Sequence, residues 1–372
     1  MNKKILIFLL SIIISLVLVE VGLRLIGFQL NSWKDYNAFP FYEAGAKAVY
    51  VGYPWHPREF SIDVSYNSLS YPDIEHNRVK PKNTIRILVV GDSYVDATEV
   101  PFDQTFFRLL EKRLNQTKPG TMYEVITFGR PGAGPREYWW MLESLGMQFD
   151  PDIVIVEFLP KNDIIDTVPQ LVDLRAEWGK KTHQYQLLQN QSLNSAILSS
   201  RLLSLSALAF DTFVPQLTLR QFPLREAINP EVFTTCQKGP YQDLIEQGWS
   251  TTESAYIEMK KIAERHGADF YLVTFTSQAE IEHYKGKKVL PKALLDLACD
   301  PGYPDDRIGM FAAKENLHYL NLNPLFAKRE KESGKTSHFR FNGHWNETGH
   351  TWAAEEIMKA FGKEMQGIMH NP

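Results

Sequence analysis

The sequence predicts an α/β domain on a parallel β-sheet covered by helices on both faces, preceded by a membrane-spanning helix. Three observations lead there. Strand-like apolar runs recur between Ile85 and Leu322 with helical patterns between them, and strands alternating with helices form parallel sheets. The first of these runs, Ile85-Arg86-Ile87-Leu88-Val89-Val90, is nearly continuous in apolar and β-branched residues, as in a strand buried on both faces. At the N-terminus, Ile5–Phe28 is long enough to cross a bilayer, which takes about 20 residues.

The whole chain sets the bounds. Its 372 residues suffice for one large domain or two small ones. A formal net charge of -4 gives no reason to expect nucleic acid as a partner. No Cys/His spacing matches a structural zinc site, and no metal or other cofactor is expected.

The elements follow in order. Lys3 and Lys4 precede the apolar run Ile5–Val19, which continues to Phe28 with interruptions at Glu20 and Arg24. These two charges lie four apart on one helix face, where they can pair or reach the interface. No convincing small-x-small cleavage site follows, so residues 1–28 read as a retained anchor rather than a cleaved signal peptide. The lysines place the N-terminus in the cytoplasm and the rest outside it, periplasmic or at the cell surface. Residues 29–83, rich in aromatics, Pro and Asn, read as a linker and a segment packing on the main domain, 84–372.

Within that domain the first strand runs into Gly91-Asp92-Ser93, and a helical pattern follows at Phe106, Leu109, Leu110 and Leu114. Tyr123–Phe128 is the second strand, leading to Gly129-Arg130-Pro131-Gly132-Ala133-Gly134. Asp152–Phe158 is the third, leading to Pro160-Lys161-Asn162-Asp163. The next strand, Asp269–Phe275, is too distant for one crossover, so an inserted cap is expected at about 165–250. The cap carries the apolar segment Leu193–Phe210, whose Ser199, Ser200, Arg201, Ser204 and Ser206 argue against spanning a membrane. Ala255, Met259 and Ile262 mark a helix ending at Gly267. His318–Leu322 is the fifth strand, and Ala353, Ile357, Ala360 and Phe361 share one face of the last helix. Cys236 and Cys299 are open to two readings, one disulfide outside the cytoplasm or two buried thiols.

Four features carry chemistry, each with a plainer alternative. Ser93 stands at the carboxyl end of a strand, where open α/β sheets bind ligands; it can be a nucleophile or a helix cap. The Gly129–Gly134 block can aim backbone N–H groups at a ligand or form a tight turn. Phosphate binding is a third reading, although Pro131 removes a donor and no Lys-Ser/Thr pair follows. Asn162 can offer a side-chain N–H or an Asx-turn. His344, in the loop before the last helix, can serve as general base; His350, already in the helix start, is the second histidine there. The two histidines lack convincingly spaced acidic ligands for a metal.

Taken in order, strand–Gly-Asp-Ser, strand–Gly loop, strand–Asn-Asp and a C-terminal His before a helix, the chain resembles the SGNH (GDSL-type) hydrolase superfamily. The resemblance covers roughly Ile85 to Phe361, with little of it in the cap. It implies a three-layer flavodoxin-like fold with a five-stranded parallel sheet. It also implies Ser93 as nucleophile, His344 as base, and an oxyanion hole of the Ser93 N–H, the Gly132 N–H and the Asn162 side chain. The anchor and the segment Tyr66–Asp73 look like the membrane-anchored bacterial members, with Ser70-Tyr71-Pro72 where those have Gly-aromatic-Arg. One departure stands out. The family pattern has Asp two or three residues before the His, and here Phe341 and Asn342 occupy those places. A backbone carbonyl, Asp305, Asp306 or the Asn342 side-chain oxygen could orient His344 instead.

The implied activity is a serine esterase or deacylase acting on acyl esters of an extracytoplasmic glycan or lipid. Acyl transfer to a cell-surface polysaccharide is an alternative, since His344-Trp345 is similar to a pair in some O-acetyl-transferring relatives. A catalytically inactive glycan-binding protein on the same fold is another.

Overall fold

The apolar runs become the strands of one sheet, seen in a computed structural model that describes residues 3–54, 56–117, 120–160, 162–181, 197–218, 229–288, 290, 294 and 297–367. In chain order the elements are α1 (Lys3–Leu25), α2 (Trp33–Asn37), β1 (Lys47–Tyr50), β2 (Ile62–Ser65), β3 (Thr84–Gly91), α3 (Ser93–Asp96), α4 (Phe106–Asn115), β4 (Met122–Gly129) and α5 (Pro135–Ser144). They continue with β5 (Ile153–Phe158), α6 (Asp163–Asp166), α7 (Pro169–Lys181), α8 (Arg201–Thr218), α9 (Gln242–Arg265), β6 (Asp269–Thr274), α10 (Gln278–Tyr284), α11 (Tyr303–Lys314), β7 (His318–Asn321), α12 (Asn323–Ser333) and α13 (Glu347–Gly367). Two compact units divide the chain: Met1–Phe39, Val51–Ser61 and Ala176–Ile228 in one, and Pro40–Tyr50, Ile62–Arg175 and Asn229–Pro372 in the other.

The larger unit holds a five-stranded parallel sheet in the order β4-β3-β5-β6-β7, the flavodoxin-like arrangement. Every residue of β3 and β5 is buried, as expected of strands covered on both faces. Side chains alternate. Ile85, Ile87, Val89, Ile153, Ile155, Tyr271 and Val273 join one core cluster with Phe106, Phe107, Leu110 and Leu114 of α4 and Ala353, Ala354, Ile357 and Phe361 of α13. On the opposite face Phe158 meets Trp249 and Tyr256 of α9, and the Cβ position of Gly146, just after α5, abuts Leu88.

The one charged residue in the run, Arg86, is fully buried yet satisfied. Its guanidinium donates to Glu124 and to the carbonyls of Asn77, Arg78 and Phe149, as buried charge requires. The segment Tyr66–Asp73 is fastened to β4. The Asp73 carboxylate accepts from both the N–H and the hydroxyl of Thr127, each at 3.0 Å, and buried Tyr71 packs edge-on against Phe128. Cys236 and Cys299 form a disulfide, closing a sequence separation of 63 residues, worth on the order of 4 kcal/mol by loop-closure entropy.

The topology fixes where a site can lie. The chain runs from β3 outward to the edge strand β4, then returns past β3 to β5, so the order reverses between β3 and β5. Crevices at the carboxyl ends of strands flanking such a reversal are the ligand sites of open α/β sheets.

In the smaller unit, α1 is long and apolar enough to cross a membrane, and its side chains from Ile5 to Val19 are exposed; a signal sequence has the same properties. Glu20 and Arg24 within it are paired, Arg24 Nε donating to Glu20 at 2.8 Å. Glu20 also accepts from the backbone N–H groups of Arg201 and Leu202 and from the Ser200 hydroxyl. It therefore caps the positive N-terminus of α8. Of the apolar segment read at Leu193–Phe210, residues 193–196 lie outside the described residues.

Candidate active site

Ser93, the Gly129–Gly134 block and Asn162 stand just beyond the ends of β3, β4 and β5, and His344 lies in the loop before α13. Gly91 and Gly129 are register partners at the ends of β3 and β4. Asp92 follows as N-cap of α3, its carboxylate accepting from the Tyr94 N–H at 2.8 Å and its own N–H donating to Glu157 of β5 at 2.8 Å. Ser93 is therefore the first residue of a short helix held from both sides. Gly129 permits the close fit, because a Cβ there would lie 2.2 Å from the Asp96 nitrogen.

His344 reaches Ser93 from 251 residues away, its Nε2 lying 2.8 Å from Ser93 Oγ. The opposite ring nitrogen, Nδ1, lies 2.7 Å from Asn342 Oδ1 and 3.3 Å from Glu99 Oε1. The Asn342 oxygen at Nδ1 assigns the ring proton to that nitrogen, leaving Nε2 free to accept the serine proton. The loop is anchored on both sides of the histidine. Tyr94 donates its hydroxyl to the Gly343 carbonyl at 3.0 Å. Trp345 is fully buried, donates Nε1–H to Thr276 Oγ1 at 2.7 Å, and packs against Tyr94, Phe106, Phe275 and Phe326. The residue that resembled part of an acyl-transfer signature is thus a core residue that fixes its neighbour.

His350 stands apart from this pair. It is buried in α13, its Nδ1 accepts from the Phe106 N–H at 3.2 Å, and burial with His338 nearby holds its pKa down to about 3. It is a neutral cap of α4. Asp305, a candidate orienter of His344, is engaged elsewhere. It accepts from the Tyr284 hydroxyl and from the amides of Asn321 and Asn323, in the first turn of α11, which Asp306 shares. The carboxylate at His344 is Glu99, which the sequence reading missed. Its only sequence signal was an acid six residues beyond the serine, and nothing local announces which side chain that acid will meet.

Three groups were expected to hold an oxyanion. Gly132 is exposed and left-handed at φ +75°, with open space where a Cβ would stand, so the backbone there is unobstructed. Among the described residues, neither its N–H nor that of Ser93 donates to a protein acceptor. Asn162 follows β5 and reaches the same place, but its amide is already engaged: Nδ2 donates to Asp92 at 3.1 Å and to Asp166 at 2.9 Å. A ligand oxygen that took up this amide would displace one of those bonds.

Buried carboxyl groups underlie the whole site. Burial pushes Asp96, Glu99, Glu157 and Asp163 well above the usual carboxylate range, with charge from neighbouring acids adding to the shift in each case. Asp166 is pushed up to about 7 by burial, against the pull of Arg175, which also pairs with Glu231 at 3.1 Å. Hydrogen bonds from Tyr138, Tyr256 and the Leu159 N–H satisfy Asp163. No cluster of three His, Cys, Asp or Glu able to hold a metal is present among the described residues.

No protein-family model matches the chain, and no curated protein does. Among solved structures it is similar to an acetyl xylan esterase at 13% identity, over 74% of this chain and 99% of that one, with a TM-score of 0.42. It is similar to TesA at 16% identity, over 75% and 99%, with a TM-score of 0.39. A GDSL-like lipase from Bacteroides thetaiotaomicron is similar at 10% identity, over 78% and 93%, with a TM-score of 0.38.

Proposed function

We propose that the protein is a serine ester hydrolase of the SGNH type, with Ser93 as nucleophile and His344 as base. The observation that carries this reading is the 2.8 Å contact between Ser93 Oγ and His344 Nε2. It lies at the switch point of the sheet, and the N–H groups of Ser93 and Gly132, which donate to no protein acceptor among the described residues, are the backbone candidates to bind an oxyanion. Serine is a weak nucleophile until a base takes its proton, and the negative oxygen that forms needs donors already in place.

The chemistry follows from that geometry. Ser93 Oγ attacks the acyl carbonyl as its proton passes to His344 Nε2. The oxyanion is held by the Ser93 and Gly132 N–H groups and by Asn162 once it releases Asp92. Collapse breaks the ester C–O bond, and His344 returns the proton to the departing alcohol, leaving an acyl-serine. Water, activated by the same histidine, then hydrolyses it; a sugar hydroxyl in place of water would make the step an acyl transfer.

The substrate class follows from location and surface. With α1 in a membrane and the site outside the cytoplasm, an acylated surface glycan or a lipid is within reach. The exposed Trp139 and Trp140 stand on α5 within about two turns of the oxyanion loop. Such exposed aromatic faces with polar neighbours Arg136, Thr251 and Ser254 lining the same groove favour a glycan. A fluorophosphonate probe applied to the full chain tests the reading. An adduct on Ser93, absent in His344→Ala, is expected. A folded protein that forms none would leave a binding protein without turnover as the better account.

A further inference from the structure

We infer that Glu99 is the positioning acid for His344, supplying from the nucleophile's own loop the carboxylate absent at positions 341 and 342. The inference rests on the reading of Ser93 and His344 as nucleophile and base, and it adds the third member.

α3 ends at Ala97 in a left-handed conformation, φ 52°, and this turn carries Thr98 and Glu99 back into the protein. The Glu99 side chain is only 4% exposed, that of His344 12%, and the carboxylate stands 3.3 Å from Nδ1. Asn342 Oδ1 is nearer, at 2.7 Å, and also accepts from the His344 N–H at 3.3 Å. The two neighbours have different capacities. An amide oxygen can fix the ring and its tautomer. It carries no net charge to set against the imidazolium that forms when the serine proton arrives, whereas a carboxylate does.

The surroundings of Glu99 sharpen the point. Burial, with Asp96 and Asp92 nearby, makes its charged form unfavourable while the histidine is neutral. A positive charge forming on His344, 3.3 Å away, offsets part of that penalty. The pair thus attracts more strongly in the transition state than in the resting enzyme, the condition for acceleration. Among the described residues, the groups at the pair include Ser93, Asp92 and Asp96 on the α3 side, Tyr94 with its ring centroid 4.9 Å from that of His344, and Asn342.

The test measures fluorophosphonate labelling of Ser93 in the full chain, by rate and by pH profile, in wild type, Glu99→Gln, Asn342→Ala, Asn342→Asp and the double variant Glu99→Gln with Asn342→Asp. Glu99→Gln is expected to slow labelling by about 10²- to 10⁴-fold. The acid limb of its profile should move to lower pH, because the group able to ionise against the imidazolium is gone and the imidazole pKa falls. Adding Asn342→Asp to Glu99→Gln should restore most of the rate, by placing a carboxylate at the position that now contacts Nδ1. Asn342→Ala alone should keep at least a tenth of the rate. Four results overturn the inference: undiminished labelling in Glu99→Gln; a slow Glu99→Gln with an unmoved profile; a slow Glu99→Gln that Asn342→Asp does not rescue; or, should Glu99→Gln not fold, an Asn342→Ala as inactive as His344→Ala. Failure of the wild type itself to label would overturn the reading beneath it instead, so the two failures are distinct.

Discussion

Gly129→Ala perturbs the proposed nucleophile through the backbone alone. The new methyl carbon would lie 2.2 Å from the Asp96 nitrogen, 2.4 Å from the Val95 carbonyl carbon and 2.8 Å from the Asp96 Cα. These are main-chain atoms that cannot rotate aside. Ordinary carbon contacts begin near 3.5 Å, so α3 must withdraw by about 1 Å. Ser93 leads that helix, and the helix is tied to its surroundings through Asp92 to Glu157 and Tyr94 to Gly343. Withdrawal therefore strains those ties or stretches the 2.8 Å contact to His344. Misplacing a reacting group by 1 Å costs about 100-fold in rate, and overpacking costs about 1–3 kcal/mol in stability. The assay pairs the labelling rate at Ser93 with a urea unfolding curve on the same protein. A folded Gly129→Ala that labels within threefold of wild type would refute the claim that strand packing sets the nucleophile's position.

Three further outcomes are expected. Reducing the Cys236–Cys299 disulfide should lower the unfolding free energy by on the order of 4 kcal/mol; an unchanged urea midpoint under reductant would contradict the loop-closure account. Asp166 keeps its proton up to about pH 7 when folded, against an ordinary value of 3.8, so the folded state binds more protons between those values. Stability then falls as pH rises from about 4 to about 7, and urea curves for Asp166→Asn should show a shallower fall over that window; an identical fall would exclude Asp166 as a source. Trp139→Ala with Trp140→Ala should raise KM for a polymeric acylated glycan while leaving fluorophosphonate labelling unchanged. Equal loss on a small soluble ester would show that the tryptophans serve stability rather than glycan contact.

Much of the architecture was legible because its signals are local. The β-branched runs, the glycines at strand ends and the helical spacing between them are short-range patterns, and the parallel sheet follows from their alternation. Ser93 was legible for the same reason, since a strand, a glycine and a hydroxyl in succession already place the side chain at a strand end. Arg86 and Glu20 show where such reading stops. A charge in a buried strand and a charge in an apolar helix look like exceptions until their partners appear, and those partners, Glu124 for one and the N-terminus of α8 for the other, lie 38 and more than 180 residues away.

By itself, then, the sequence determined the α/β class, the apolar N-terminal helix and the side chains available for chemistry, because periodicity and turn chemistry act over a few residues. Only the tertiary structure decided which of those side chains meet. It set His344 rather than His350 against Ser93, buried Trp345 as an anchor, joined Cys236 to Cys299, bound the Asn162 amide to two carboxylates, and brought Glu99 rather than Asp305 to the imidazole. The physical reason is that strand order and register place residues beside one another irrespective of their separation in the chain, and a proton-transfer geometry depends on tenths of an ångström that no local pattern encodes.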